Sequence, residues 1–87
     1  MTFEYDPAKS ESNQRKHGID FVTAQEIWAD GFRLERSALS ATEPRWQVIG
    51  KAQGRVWSAF ITYRNQNIRL ISVRRACGDE KELYYGH

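Results

Sequence analysis

Between Arg55 and Ala76 the chain spells two strand-like segments, RVWSAFITYR and IRLISVRRA, separated only by a short polar connection at Asn65-Gln66-Asn67. Runs this rich in β-branched and aromatic residues, so closely joined, read as an antiparallel hairpin. RVWSAFITYR is apolar on both faces, which places it inside a sheet rather than at its edge. IRLISVRRA has the content of a buried strand in Ile68, Leu70, Ile71 and Val73, yet it carries Arg69 near its start and Arg74-Arg75 near its end. Side chains alternate along a strand, so Arg74 and Arg75 are expected on opposite faces and at most one enters a given cleft; parity alone does not say which.

The rest of the chain is read outward from that hairpin. Phe32 to Arg36 and Arg45 to Lys51 read as two further strands, the first with Phe32 and Leu34 on one face. In the second, Trp46, Val48 and Gly50 oppose Gln47, Ile49 and Lys51. Ser37 to Pro44 reads as a polar loop and Ala52-Gln53-Gly54 as a turn. Phe3-Glu4-Tyr5 alternates as a short first strand would. Asp6-Pro7 opens a helix, PAKSESNQRKH, with Asp6 as N-cap, Pro7 at the first helical position and Gly18 just past the end. Its only apolar residue is Ala8, so exposure is expected, with Lys9, Asn13 and Lys16 on one side and His17 beside Asn13. Asp20 caps a second helix, FVTAQEIWA, whose Phe21, Ala24, Ile27 and Trp28 form an apolar stripe for the core. A short helix from Asp79 to Tyr85 closes the chain. The expected architecture is α+β in one domain over residues 1–87: two N-terminal helices, a four-stranded, mainly antiparallel sheet and a short C-terminal helix.

The net charge of +2 hides an uneven distribution. From Met1 to Glu43 there are eight acids against five Lys and Arg, whereas Pro44 to Gly78 holds seven basic residues and no acid. Six of those seven are Arg, the side chain best suited to bidentate phosphate recognition and to stacking on bases. An anionic partner follows, either nucleic acid or an acidic protein surface. One cysteine, Cys77, allows no internal disulfide, and with two His it makes no cysteine–histidine metal cage, so no metal or other cofactor is expected. No apolar run reaches membrane-span length and the N-terminus lacks a signal peptide's order; a cytoplasmic protein without membrane contact is expected.

Arg, Lys, His, Glu and Tyr without a metal suit cleavage of RNA, whose 2′-OH is a built-in nucleophile. His17 is the leading base by its unperturbed pKa, although its place at a helix C-terminus favours the protonated form. Arg64 and Arg69 flank the hairpin connection and repel one another unless an anion lies between them. Glu80 and Tyr84, four apart on the last helix, stack one above the other, and Glu80 is placed to orient an arginine of the preceding strand.

Two motifs give the chain a family likeness. Tyr5-Asp6 with Lys9, Asn13, Lys16-His17-Gly18-Ile19, Phe21 and Ala24 resembles the N-terminal signature of the BrnT toxins, and RLISVRRA followed by Glu80 and Tyr84 resembles their C-terminal one. The resemblance implies a RelE-like fold and metal-independent endoribonuclease activity. It also implies neutralisation by a BrnA-like antitoxin, through which alone the complex would meet operator DNA. Carried over residue by residue, it makes His17, Arg64, Arg74, Arg75, Glu80 and Tyr84 the candidate catalytic set, with Lys16 and Arg69 holding RNA. The competing reading is a binding module of weak or no activity, whose basic face grips an antitoxin or nucleic acid.

Overall fold

The computed structural model describes residues 2–39 and 42–87; Met1 and two positions of the expected polar loop lie outside them. The elements in chain order are β1 (Phe3–Glu4), α1 (Pro7–His17), a 3-10 helix (Thr23–Ala29), β2 (Leu34–Ala38), β3 (Arg45–Ala52), β4 (Arg55–Arg64), β5 (Asn67–Arg75) and α2 (Gly78–Gly86). They build one sheet of order β1-β5-β4-β3-β2, antiparallel except that β1 runs parallel to β5.

The hairpin forms as its sequence demands. Asn65 and Gln66 both take positive φ (49° and 69°), the backbone of a tight two-residue turn whose twist matches the strands. Gln53 and Gly54 (54° and 73°) do the same between β3 and β4. β4 lies at the centre of the sheet, with Val56, Trp57, Ser58, Ala59, Ile61 and Thr62 all buried.

The four-stranded expectation is corrected: the sheet has five strands and is mixed. Thr2 accepts a hydrogen bond from the Ile68 N–H at 2.8 Å, and Phe3 and Glu4 pair with Ile68 and Arg69 along the outer edge of β5. A two-residue strand has too little periodicity to announce its pairing; it forms because β5 presents an open ladder beside it.

The expectation of two N-terminal α-helices is corrected as well. The second segment is a 3-10 helix starting at Thr23, and Asp20 reaches in through Oδ1, which accepts from the Thr23 N–H at 2.7 Å. Phe21, Ala24 and Ile27, all wholly buried, are spaced by three, which is the 3-10 period rather than the 3.6 of an α-helix. Trp28, read as part of the same stripe, is half-buried and packs edge-on against Phe3 at 5.1 Å. Close approach to the sheet is built in: a Cβ on Gly50 would sit 2.9 Å from Ile27 Cγ2, so glycine is needed there. Phe32, expected in a strand, lies in the turn before β2 and is exposed.

α1 docks without an apolar stripe. Its buried residues are Ser10 and Asn13. Ser10 Oγ accepts from the Phe21 N–H at 2.9 Å. The Asn13 amide donates to Ile19 O (2.8 Å) and Val73 O (2.9 Å), and its Oδ1 accepts from the Val73 N–H (3.1 Å). Asn13 thus behaves as a one-residue strand, satisfying the edge of β5 beyond the reach of β1. The main core lies on this face, where Ile19, Phe21, Ala24 and Ile27 meet Val48, Ala59, Ile61, Ile68, Leu70 and Val73.

Candidate functional site

Among the described residues, the opposite face of the sheet is covered at one end by α2, whose Tyr84 packs with Ile49, Val56 and Ala76. Cross-strand register settles which side chains share this face. Ser58 pairs with Arg74, Phe60 with Ser72, Thr62 with Arg69 and Arg64 with Asn67, while Ile61 pairs with Leu70 and leaves Ile71 without a partner. This bulge resets the alternation: Arg69 and Arg74, five residues apart, would face opposite ways in a regular strand but come to the same side. On the neighbouring strands Arg36 pairs with Gln47 and Arg45 with Ala38, on that side too. The open face therefore carries Arg36, Arg45, Arg64, Arg69 and Arg74.

A groove of about 560 Å³ runs over this surface, walled by Arg36 to Leu39 and Arg45 on one side and by Arg74 and Glu80 on the other, with Gln47, Phe60 and Ser72 along its floor. Arg74 and Glu80 form a bidentate pair, Nη1 to Oε1 and Nη2 to Oε2, both at 2.8 Å. Glu80 is nearly enclosed while Arg74 keeps 39% of its side chain open, with its guanidinium 5.2 Å from the Phe60 ring centre. Glu80 also accepts from the Cys77 N–H (2.9 Å), Ser58 Oγ (2.9 Å) and Gln47 Nε2 (2.6 Å), the first closing a capping box at the start of α2. The Arg74 guanidinium, aided by these donors and opposed by burial, holds Glu80 far below the usual carboxylate range, and Arg74 is raised in turn.

Towards the hairpin turn, Arg69 Nη1 donates to Glu4 Oε2 at 2.9 Å, which lowers the Glu4 pKa, and the charge of Arg64 adds to that effect. Arg64 itself is exposed. Arg45 lies 3.9 Å from Glu43, and its Nε is buried without a hydrogen-bond partner among the described residues.

The expected site residues do not all meet. Arg74 and Glu80 line the groove, and Arg64 and Arg69 extend the same face. Arg75 lies on the helix-bearing face, its guanidinium 5.7 Å from the Trp57 ring centre. His17 is exposed at the end of α1 and borders a second hollow of about 460 Å³ with Gln53, Arg55 and Trp57; Lys16 is exposed in the same turn. Tyr84 is buried and donates its hydroxyl to Asp30 Oδ2 at 2.6 Å, away from the groove, and burial together with the Asp30 charge pushes its pKa up to about 12. Asp30 in turn accepts from the Lys51 and Phe32 N–H groups, so Tyr84 ties α2 to the end of the 3-10 helix.

Arg36, Gln47 and Ser58 are functional-site residues outside the expected set. The available signal was Gln47 and Ser58 themselves, polar residues within otherwise apolar strands, which once buried must find partners.

A comparison with curated proteins finds no match. The family model described as ribonuclease toxin, BrnT, of type II toxin–antitoxin system matches residues 5–80, from Tyr5 to the Glu80 that holds Arg74. The chain belongs to this family of type II ribonuclease toxins.

Proposed function

We propose that the open face of the sheet is where this toxin holds and cuts RNA, as a metal-independent endoribonuclease acting through the substrate's own 2′-OH. One observation carries the reading: the bulge at Ile71 puts Arg69 and Arg74 in phase with Arg36, Arg45 and Arg64, giving five guanidiniums along one face. Attack by the 2′-OH concentrates negative charge on the phosphorane oxygens, and Arg74, held by Glu80 beside an open groove, is poised to receive it. Glu80 is too weak a base at neutral pH to take the hydroxyl proton and serves to orient Arg74. His17, Lys16 and Arg75 lie on the other face. In this scheme the rate enhancement comes from positioning and charge: as the 2′-O–P bond forms and the P–O5′ bond breaks, the hydroxyl proton passes to water and the departing 5′-oxygen takes a proton from water.

The test is incubation of the purified chain with single-stranded RNA in EDTA. Cleavage leaving a 2′,3′-cyclic phosphate or its 3′-phosphate product, with a matched all-DNA strand left intact, is the expected result. Equal cutting of both strands, or a strict metal requirement, rejects the mechanism.

A second reading draws on the same ion pair. Because Glu80 already neutralises Arg74 and Glu4 neutralises Arg69, the face also suits a module that grips a macromolecule more than it catalyses. The antitoxin that a type II system entails would then cover Arg64 and Arg74. Complex formation whose salt dependence is unchanged by Arg64→Ala and Arg74→Ala together would remove this face as the docking site.

A further inference from the structure

Gln47 is 4% exposed, and every polar atom of its amide is engaged. Nε2 donates to Glu80 Oε2 (2.6 Å) and Ser58 Oγ (3.0 Å), while Oε1 accepts from Arg36 Nε at 2.8 Å. The amide has only one consistent orientation, because an ionised carboxylate accepts only and a guanidinium donates only. Arg36 on β2 and Arg74 on β5 therefore sit on opposite walls of the groove, joined by a chain of three hydrogen bonds through Gln47 and Glu80. Their strands are three interstrand steps apart, roughly 14 Å, and both side chains lean inward, Arg36 onto β3 and Arg74 towards α2. Arg36 gives its Nε–H to Gln47 and lines the groove, and among the described residues no hydrogen-bond partner is seen for its other N–H groups.

We propose that Gln47 is a positioning residue that fixes Arg36 opposite Arg74, so that the two guanidiniums grip the backbone of a single RNA strand from both sides of the groove. The proposal rests on the open face being the RNA site and adds two residues to it: Arg36 as a phosphate contact, and Gln47 acting through it. A long, exposed arginine on an edge strand loses much rotamer freedom on binding; a buried amide that already holds Nε removes part of that loss beforehand. The charge alone is then insufficient, since a lysine at the same place has no Nε to offer Gln47.

A single-stranded 2′-O-methyl oligoribonucleotide, which cannot undergo 2′-OH attack, is titrated into the full chain by fluorescence anisotropy over a range of salt. Arg36→Ala, Arg36→Lys and Gln47→Met are each expected to weaken binding about tenfold, and Arg36→Ala/Gln47→Met to be no weaker than Arg36→Ala alone. The salt slope should fall for Arg36→Ala and stay unchanged for Gln47→Met. Circular dichroism controls for folding, and Arg36→Lys, a surface change, carries the test should Gln47→Met fail to fold. Binding by Arg36→Lys equal to the unsubstituted chain, or additive losses in the double variant, overturns the positioning role. Loss in Arg74→Ala with none in Arg36→Ala or Gln47→Met overturns this inference and leaves the groove as the RNA site. Unchanged binding in Arg74→Ala and Arg36→Ala alike removes both.

Discussion

Replacing Asn13 by alanine should be strongly destabilising while leaving the arginine face untouched. Asn13 makes three buried hydrogen bonds to backbone, two to carbonyls and one from an N–H, at 2.8, 2.9 and 3.1 Å. Truncation strands Ile19 O, Val73 O and Val73 N in a site where the residue itself is 6% exposed. An unsatisfied buried polar group costs about 1–3 kcal/mol. Because Val73 O and N lie side by side and share what water can enter, about 3–5 kcal/mol in total is expected. A domain of this length holds roughly 4–13 kcal/mol, so the loss is a large share of the whole. In urea, with a slope of about 1 kcal/mol/M, the midpoint should fall by about 3–5 M or the chain should be unfolded at the outset. Asn13→Asp refines the test. It keeps the acceptor facing Val73 N–H but turns an oxygen towards two carbonyl oxygens, so it should be worse than alanine at neutral pH and recover partly in acid, where a proton restores one donor. A loss under about 1 kcal/mol for Asn13→Ala, or an Asn13→Asp variant insensitive to pH, would show that α1 is held by something other than this amide.

Three further outcomes follow from the geometry. Arg74→Ala should lower RNA cleavage by about 10²–10³ with circular dichroism unchanged, while Arg75→Ala, on the other face, should be nearly silent; equal partial losses at both would indicate a diffuse charge effect instead of an organised groove. Glu80 has a folded pKa below its unfolded value, so its contribution is complete above the normal carboxylate range and is lost as pH falls through that range towards the folded value. Glu80→Gln should therefore flatten the acid limb of a thermal-midpoint-against-pH curve, and an unaltered limb would discount the ion pair. Tyr84→Phe should cost about 1–2 kcal/mol through the lost Asp30 bond yet change cleavage by less than about threefold, since the phenol is neutral and points away from the groove; a loss of activity at unchanged stability would place Tyr84 in the chemistry.

Much of the frame was legible because local rules acted alone. Asp6, Pro7 and Gly18 bound α1 as capping chemistry requires, and the Asn65-Gln66 and Gln53-Gly54 turns fell where the strand segments break. What was not legible depended on partners distant in sequence. The short strand at Phe3-Glu4 was readable, but its pairing with the edge of β5, more than sixty residues away, was not. The 3-10 helix was masked because Trp28 completes an α-like pattern, although the buried residues keep a period of three. Within the site, Arg74 and Arg75 separated to opposite faces as alternation dictates, but the choice between them, and the union of Arg74 with Arg69, hung on an irregularity that no composition announces. Asn13 was visible as a motif residue, while its purpose required knowing that Val73 lies beside it.

Ile71 gives the gene an unusual tolerance. β5 is one residue longer than its pairing with β4 uses, so an in-frame loss of one codon at Leu70 or Ile71 would straighten the strand and still return every remaining side chain to its own face. The same lesion in β4, which has no surplus, would turn half of the strand inside out. Length variation is thus admissible in one arm of the central hairpin and lethal to the fold in the other, an asymmetry that a single-codon deletion scan would reveal.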